Sequence, residues 1–176
     1  AIESTSRWID GMCHRHFFQI EESRVFEAED SYNIRLGHFN DLTNVTTVEV
    51  ATDEDGDGVF ETTWGSTDFE LRPRNALAGP EPKPYRCVRA IGRTFPINRS
   101  PGGRLERVRI TGTWGWPSVP TAIEQATKIQ VHRIVKRREA PEGIVGLNQF
   151  GVMYVSGQAD PDVIKLIGRY RLKAVA

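Results

Sequence analysis

Only two cysteines, Cys13 and Cys87, stand in 176 residues. That is too few for the disulfide framework that staples small secreted domains, and they read as reduced thiols. No apolar run approaches the roughly 18 residues needed to span a membrane, so no membrane contact is expected. The first twenty residues carry Arg7, Asp10 and Arg15 and lack an apolar block with a small-residue cleavage site, so no signal peptide is visible. Catalytic signatures are missing as well. There is no Gly-x-Ser-x-Gly, no phosphate-cradling glycine loop and no cysteine with a histidine partner in a glycine-rich setting, and His38 and His132 stand alone in polar surroundings. The expectation is a protein that is not an enzyme and carries no cofactor. Sixteen glycines and ten prolines are ordinary counts that exclude collagen-like and low-complexity chains. With 39% hydrophobic residues the chain is long enough to bury a core of its own.

Net charge is also lacking, since 23 Lys and Arg balance 23 Asp and Glu, yet the two signs are segregated. Between Glu21 and Glu70 fourteen acidic residues face two basic ones, Arg24 and Arg35; between Leu71 and Ala140 fifteen basic residues face four acidic ones. A subunit of this kind suits head-to-tail contact with a copy of itself, because opposite faces of neighbours then attract. The alternative is that both halves are solvated and pack on each other.

Periodicity divides the chain into helical ends and a β middle. Ile2, Thr5, Trp8, Ile9, Met12, Cys13 and His16 recur at three- and four-residue spacing, which predicts a helix that starts without a capping residue. From Phe17 short runs rich in Val, Ile, Thr and aromatics alternate with turns, the pattern of an antiparallel lobe. Strands are predicted at 25–29, 33–36, 45–52, 59–63, 68–71, 85–91 and 105–113. Pro73 to Pro84, with four prolines, reads as a loop. Thr121-Ala122-Ile123-Glu124 fits a capping box, with Ser118 and Pro120 an equally good start, and opens a long helix. Ile123, Ala126, Thr127, Val131 and Ile134 share one face of it, and Gln125, Lys128, His132 and Lys136 lie opposite. Asp160-Pro161 is an N-cap with proline at the first helical position, followed by Val163, Ile164, Ile167 and Tyr170. The expected fold class is α+β: a small helical bundle (N-terminal helix, long helix, C-terminal short helix) with an inserted antiparallel β lobe. The segments are an N-terminal helix within 1–17, a β lobe over 18–113, a long amphipathic helix within 114–139, an apolar loop over 140–159 and a C-terminal helix and tail over 160–176, together one structural unit. The apolar loop is too long and too apolar for a plain connection and asks for a partner.

Two clusters resemble metal ligands. Asp53, Asp55, Asp57 and Gly58 match the opening of a calcium loop, but Trp64 stands where the bidentate Glu belongs and the flanks read as strands. They fit a hairpin turn of solvated carboxylates or a weak cation site. Cys13, His14 and His16 suggest zinc chemistry, but no second ligand pair follows, and a helix turns His14 away from the other two. The basic end of the long helix, Lys128, His132, Arg133, Lys136, Arg137 and Arg138, has two readings as well. One is a solvated face complementing the helix dipole; the other is contact with an acidic neighbour or with phosphates.

Gly112-Thr113-Trp114-Gly115-Trp116-Pro117-Ser118-Val119-Pro120, then the helix and Ala140-Pro141-Glu142-Gly143, resemble the head-to-tail connector (adaptor, head completion) proteins of long-tailed bacteriophages. The opening Ser6 to Phe17, the Asp55-Gly56-Asp57-Gly58 hairpin and Ala159-Asp160-Pro161-Asp162-Val163 fit the same family in order. In many relatives Gly-Arg follows the cysteine where this chain has His14-Arg15. Relatives carry a further helical segment ahead of the opening helix, which agrees with the uncapped start at Ala1. The resemblance implies a structural protein of the virion neck, assembled in the host cytoplasm. It implies a ring of about twelve copies that docks on the portal protein, presents a surface to the next neck or tail-completion protein, and leaves a channel through which genomic DNA passes without sequence-specific binding. On that reading Arg133, Lys136 and Arg137 form the subunit interface. Ile144, Leu147, Phe150, Val152, Tyr154 and Leu172 dock on the portal or a neighbour as an added strand. The rival expectation is a β-rich binding module with a cation site at Asp53, Asp55 and Asp57.

Overall fold

The computed structural model describes residues 1–28, 30–51, 59–97, 107–139, 144–148, 151–154 and 159–172, with the backbone alone at 48–51, 107, 139, 144–148 and 151–154. The chain forms two compact units. One joins Ala1–Arg15 to Val119–Ala176, and the other is the intervening His16–Ser118. Three helices and a two-stranded hairpin make the first unit and antiparallel sheets the second, so the α+β class expected from periodicity is the class found.

The β unit holds two sheets. β1 (Ile20–Phe26), β3 (Leu42–Ala51), β4 (Thr62–Trp64) and β7 (Arg107–Trp114) form one, in the order β1-β7-β3-β4. β2 (Asn33–Arg35), β5 (Phe69–Arg72) and β6 (Cys87–Ala90) form the other, in the order β2-β6-β5. Ile34, Leu36, Val88 and Ala90 from the smaller sheet and its flanks meet Leu42, Trp64, Val108, Ile110 and Trp114 from the larger in one buried cluster. Trp64 stacks on Phe95 with ring centroids 4.7 Å apart. The predicted pairing of the runs that flank the acidic stretch is present, with Val48 opposite Trp64 and Val50 opposite Thr62 in antiparallel register. The first strand starts earlier than its residues suggested, at Ile20. Glu21, Glu22, Ser23 and Val25 are all exposed on this edge strand, so it lacks the apolar and polar alternation that marks a half-buried one.

Gly112 and Gly115 explain the Gly-Thr-Trp-Gly-Trp-Pro stretch. β7 runs beside a pair of register shifts in β3, between Leu42 and Asn44 and between Val45 and Thr47. There a side chain on Gly112 would place its Cβ 2.2 Å from the Asn44 carbonyl oxygen. At Gly115 the backbone turns to φ 107°, and its N–H donates to the Asp41 carbonyl at 2.7 Å. Trp116 then donates its indole N–H to the buried Asp41 carboxylate at 3.1 Å. Thr43 Oγ1 donates to the Gly115 carbonyl at 2.8 Å. The motif is a corner that ties the end of one strand to the start of another.

In the helical unit α1 (Ile2–Cys13), α2 (Thr121–Glu139) and α3 (Pro161–Gly168) pack on one another. α1 ends in a left-handed turn at His14, φ 55°. Ile9, Cys13, Ile123, Ala126, Val163, Ile167, Tyr170 and Leu172 are buried. α2 begins differently from the capping box: Thr121 is already helical, and the Pro120 carbonyl accepts from the N–H groups of Ile123 and Glu124. Its inward stripe is the expected one, with Ile123 and Ala126 buried, Thr127, Val131 and Ile134 half-buried, and Gln125, Lys128, His132 and Lys136 exposed. The stripe also takes in polar residues, since Gln130 is buried and Arg133 and Arg137 are half-buried. α3 starts as its sequence predicts, with the Asp160 carboxylate accepting from the Asp162 N–H at 2.9 Å and Pro161 at the first helical position.

The expected apolar loop is a hairpin. β8 (Ile144–Asn148) and β9 (Gly151–Tyr154) pair antiparallel, with Leu147 opposite Val152 and one irregularity between Ile144 and Gly146. The β-branched and aromatic residues of these two strands pair their backbones with each other this way.

Candidate functional site

Among the described residues no group of three or more His, Cys, Asp or Glu side chains is placed to hold a metal ion. Asp53, Asp55 and Asp57 lie outside the described residues, as does Phe150. The surfaces that can carry function are charged faces, an unpaired strand edge and the hairpin.

Cys13 sits in the helical core, its thiol 3.9 Å from the Ile167 carbonyl oxygen, and burial pushes its pKa up to about 11. A protonated, enclosed thiol is neither a ready metal ligand nor a nucleophile. His14 occupies the left-handed turn, and His16, in the other unit, makes tilted ring contacts with Phe18 and Phe39 at 4.9 and 5.0 Å between ring centroids. Burial likewise raises the pKa of Cys87, which is half-buried in β6.

The three basic residues assigned to a subunit interface differ in placement. Arg133 pairs with the Asp160 carboxylate, so its guanidinium joins α2 to the cap of α3 within one subunit. Arg137 is half-buried, and Lys136 is exposed. Asp160 therefore serves two partners. The Asp162 N–H, ahead of the Arg133 guanidinium, holds its carboxyl below the usual carboxylate range against the opposing effect of burial. A group whose folded pKa is depressed contributes stability that is complete above its unfolded pKa, about 4. That contribution is lost as pH falls through the lower folded value. Asp160→Asn keeps a capping oxygen and removes the charge. Its melting temperature is expected to lie a few degrees below the parent's at pH 7 and to converge on it as pH is lowered past the carboxylate range.

Ile144, Leu147, Val152 and Tyr154 lie on the hairpin strands, brought together in one two-stranded sheet. Leu172 does not join them. It is 7% exposed, and its N–H donates to the Cys13 carbonyl at 3.1 Å, so it closes the helical core and offers no free apolar surface for docking.

Sequence reasoning overlooked the outer face of the smaller sheet. Antiparallel register lines up Asn33, Arg89 and Glu70 in one row and Arg35, Cys87 and Arg72 in the next. Glu70 is enclosed by two guanidinium groups. Arg74 and then Arg72 hold its carboxyl below the usual range, with Arg74 Nε and Nη2 at 2.9 and 2.7 Å. The signal was present in the sequence: Arg35 and Arg89 each follow a buried aliphatic residue, Ile34 and Val88, at the alternation of a half-buried strand.

Neither a protein-family model nor a curated protein sequence matches the chain. Solved structures do. A chain in the neck of a native gene transfer agent particle, computed with C12 symmetry, is 17% identical over 99% of this chain and 81% of its own, with a TM-score of 0.57. One in the neck of an empty gene transfer agent particle, computed with C6 symmetry, is 18% identical over 99% of this chain and 77% of its own, with a TM-score of 0.58. A chain in the virion of the native gene transfer agent particle gives 18% identity over 99% and 76%, with a TM-score of 0.50. Across nearly its whole length, this chain has the fold of chains in the necks of phage-like particles.

Proposed function

We propose that this chain is a structural subunit of a virion neck, a head-to-tail adaptor rather than an enzyme. The observation that carries the reading is fold similarity over 99% of the chain to chains in gene transfer agent necks. Copies form a ring that docks on the portal protein, completes the head after DNA packaging and receives the next neck or tail-completion protein. Genomic DNA passes through the ring's channel. A ring of twelve fits the C12 symmetry used for one of those necks. Segregated charge supports the same reading, because a heterologous contact between identical subunits needs two different, complementary patches.

The hairpin supplies the docking element in this reading. A two-stranded hairpin is marginal by itself, and no other described strand pairs with β8 or β9, so a third strand from the portal or a neighbour would complete it. Backbone hydrogen bonds would give affinity, and Phe150 and Tyr154 would fill pockets on the partner. The double substitution Phe150→Ala and Tyr154→Ala is expected to abolish portal binding in co-sedimentation; unchanged binding removes the hairpin from the dock.

Negative-stain imaging of the purified protein, alone and mixed with its cognate portal, tests the whole reading. Rings, or an added tier on the portal, are the expected result, and a monomer that ignores the portal overturns it. Lateral association is expected to weaken when salt is raised to about 0.5 M, because exposed ion pairs are then screened beyond a few ångströms.

A further inference from the structure

We infer that the outer face of the β2-β6-β5 sheet is the surface on which a subunit receives the acidic edge strand β1 of a second copy. This rests on the ring reading above and names its lateral contact. The face is built from arginine. Strand alternation turns Ile34, Val88 and Leu71 toward the core and Arg35, Arg89 and Arg72 outward, with Cys87 between Arg35 and Arg72 across the strands. Its carboxylates are already engaged. Glu70 is taken by Arg72 and Arg74, and Asp30 accepts from the Tyr32 N–H at 2.8 Å and from Asn33 Nδ2 at 3.0 Å, with Arg35 and Arg89 adding only a weaker electrostatic pull on it. Arg35 and Arg89 are exposed and make no hydrogen bond or ion pair with another described residue. Two guanidinium forks are thus held on a rigid sheet, in a form that matches carboxylates bidentately.

The complement is on the same chain. β1 is an edge strand with no described strand on its outer side. It exposes Glu21 and Glu22, and Glu27 follows, while Ile20 is 39% and Val25 53% exposed beside them. Arg24 does not cancel this edge. It bonds Glu22, the Phe39 carbonyl and the Asn40 side chain, and lies over the Trp114 ring at 4.5 Å, leaving Glu21 and Glu27 unpaired among the described residues. The basic face and the acidic edge belong to different sheets that share one core. Each copy therefore presents both patches at once, and the contact propagates from subunit to subunit until it closes. A polyanion such as duplex DNA is the other ligand an arginine face can take. The acidic edge on the chain itself, including exposed aliphatic groups that a phosphate backbone would not match, favours a second copy.

The test uses four full-length samples: the parent, Arg35→Glu with Arg89→Glu, Glu21→Arg with Glu27→Arg, and an equimolar mixture of the two variants. All four positions are exposed, so each variant is expected to melt within a few degrees of the parent, which is checked by circular dichroism. Sedimentation velocity at about 50 mM salt, where exposed charges act at longer range, reads assembly with and without cognate portal. Each variant alone is expected to need about tenfold more protein to associate. The mixture is expected to recover parental association, because the two altered subunits can alternate with every contact again of opposite sign. Variants that assemble like the parent overturn this surface and leave the ring reading standing. If the arginine variant assembles normally but loses retention on duplex DNA, the face belongs to a polyanion. A parent that stays monomeric with portal present overturns the ring reading and this contact together.

Discussion

Gly115→Ala is expected to cost on the order of 4 kcal/mol, enough to leave little folded protein at 37 °C. Two independent penalties meet at this position. At φ 107° an L-residue is strained wherever it stands. In addition, a Cβ there would sit 1.9 Å from the Phe18 carbonyl oxygen and 2.8 Å from its carbon, both backbone atoms that cannot swing aside. Relief would require moving the corner itself, and with it the Gly115 N–H to Asp41 bond and the Trp116 indole on the Asp41 carboxylate. Gly112→Ala meets one penalty of the same kind, against the Asn44 carbonyl oxygen at 2.2 Å, and is expected to cost less. Urea denaturation of the two variants, with fluorescence of the corner tryptophans as probe, measures the difference. Equal stability of Gly115→Ala and the parent would show that the corner adopts another conformation.

Trp114→Ala is expected to destabilise by about 4 kcal/mol. The side chain is fully buried at the centre of the cluster shared by both sheets. Its indole N–H donates to the Glu22 carbonyl at 2.9 Å, and the Arg24 guanidinium lies over its ring. Removing it leaves a large cavity, an unsatisfied carbonyl and an arginine without its platform. Trp114→Phe keeps most of the apolar volume and loses the donor, so it should fall between the parent and the alanine variant. A melting-temperature series over the three proteins is the measurement. An alanine variant as stable as phenylalanine would show that the neighbouring chains collapse into the space.

Much of this architecture was legible before any coordinates. The Asp160-Pro161 pair marks the start of α3 because a carboxylate cap and a proline lacking an N–H both suit the first helical turn, and the observed cap is the one read from sequence. The pairing of β3 with β4 follows from two β-rich runs on either side of a stretch rich in aspartate and glycine. The start of β1 was not legible, because an edge strand exposed on both faces carries no alternation. The polar content of the inward stripe of α2 was hidden as well. Arg133 reads as part of a solvated or interfacial basic face, and Gln130 carries no signal, until Asp160, some thirty positions away, is seen to receive the guanidinium and to direct its N–H toward the Gln130 side-chain oxygen at 3.5 Å.

The charged surfaces divide in the same way. The excess of acid before Glu70 and of base after Leu71 can be counted directly, and it is enough to suggest that two unlike surfaces exist. Which residues share a surface cannot be counted. Arg35 stands among the acidic residues in sequence, yet β2 pairs with β6 and brings it beside Cys87 and, one strand further, Arg72. Arg133 belongs to the basic half, yet packing of α2 on α3 turns it to a partner within its own subunit.

Local chemistry by itself determined the α+β class and the cap of α3, because these depend on the dihedral preferences and hydrogen-bonding groups of neighbours in the chain. Only the tertiary structure decided which charges are spent inside the subunit and which remain at its surface. Those outcomes depend on strand register and helix packing between residues far apart in sequence.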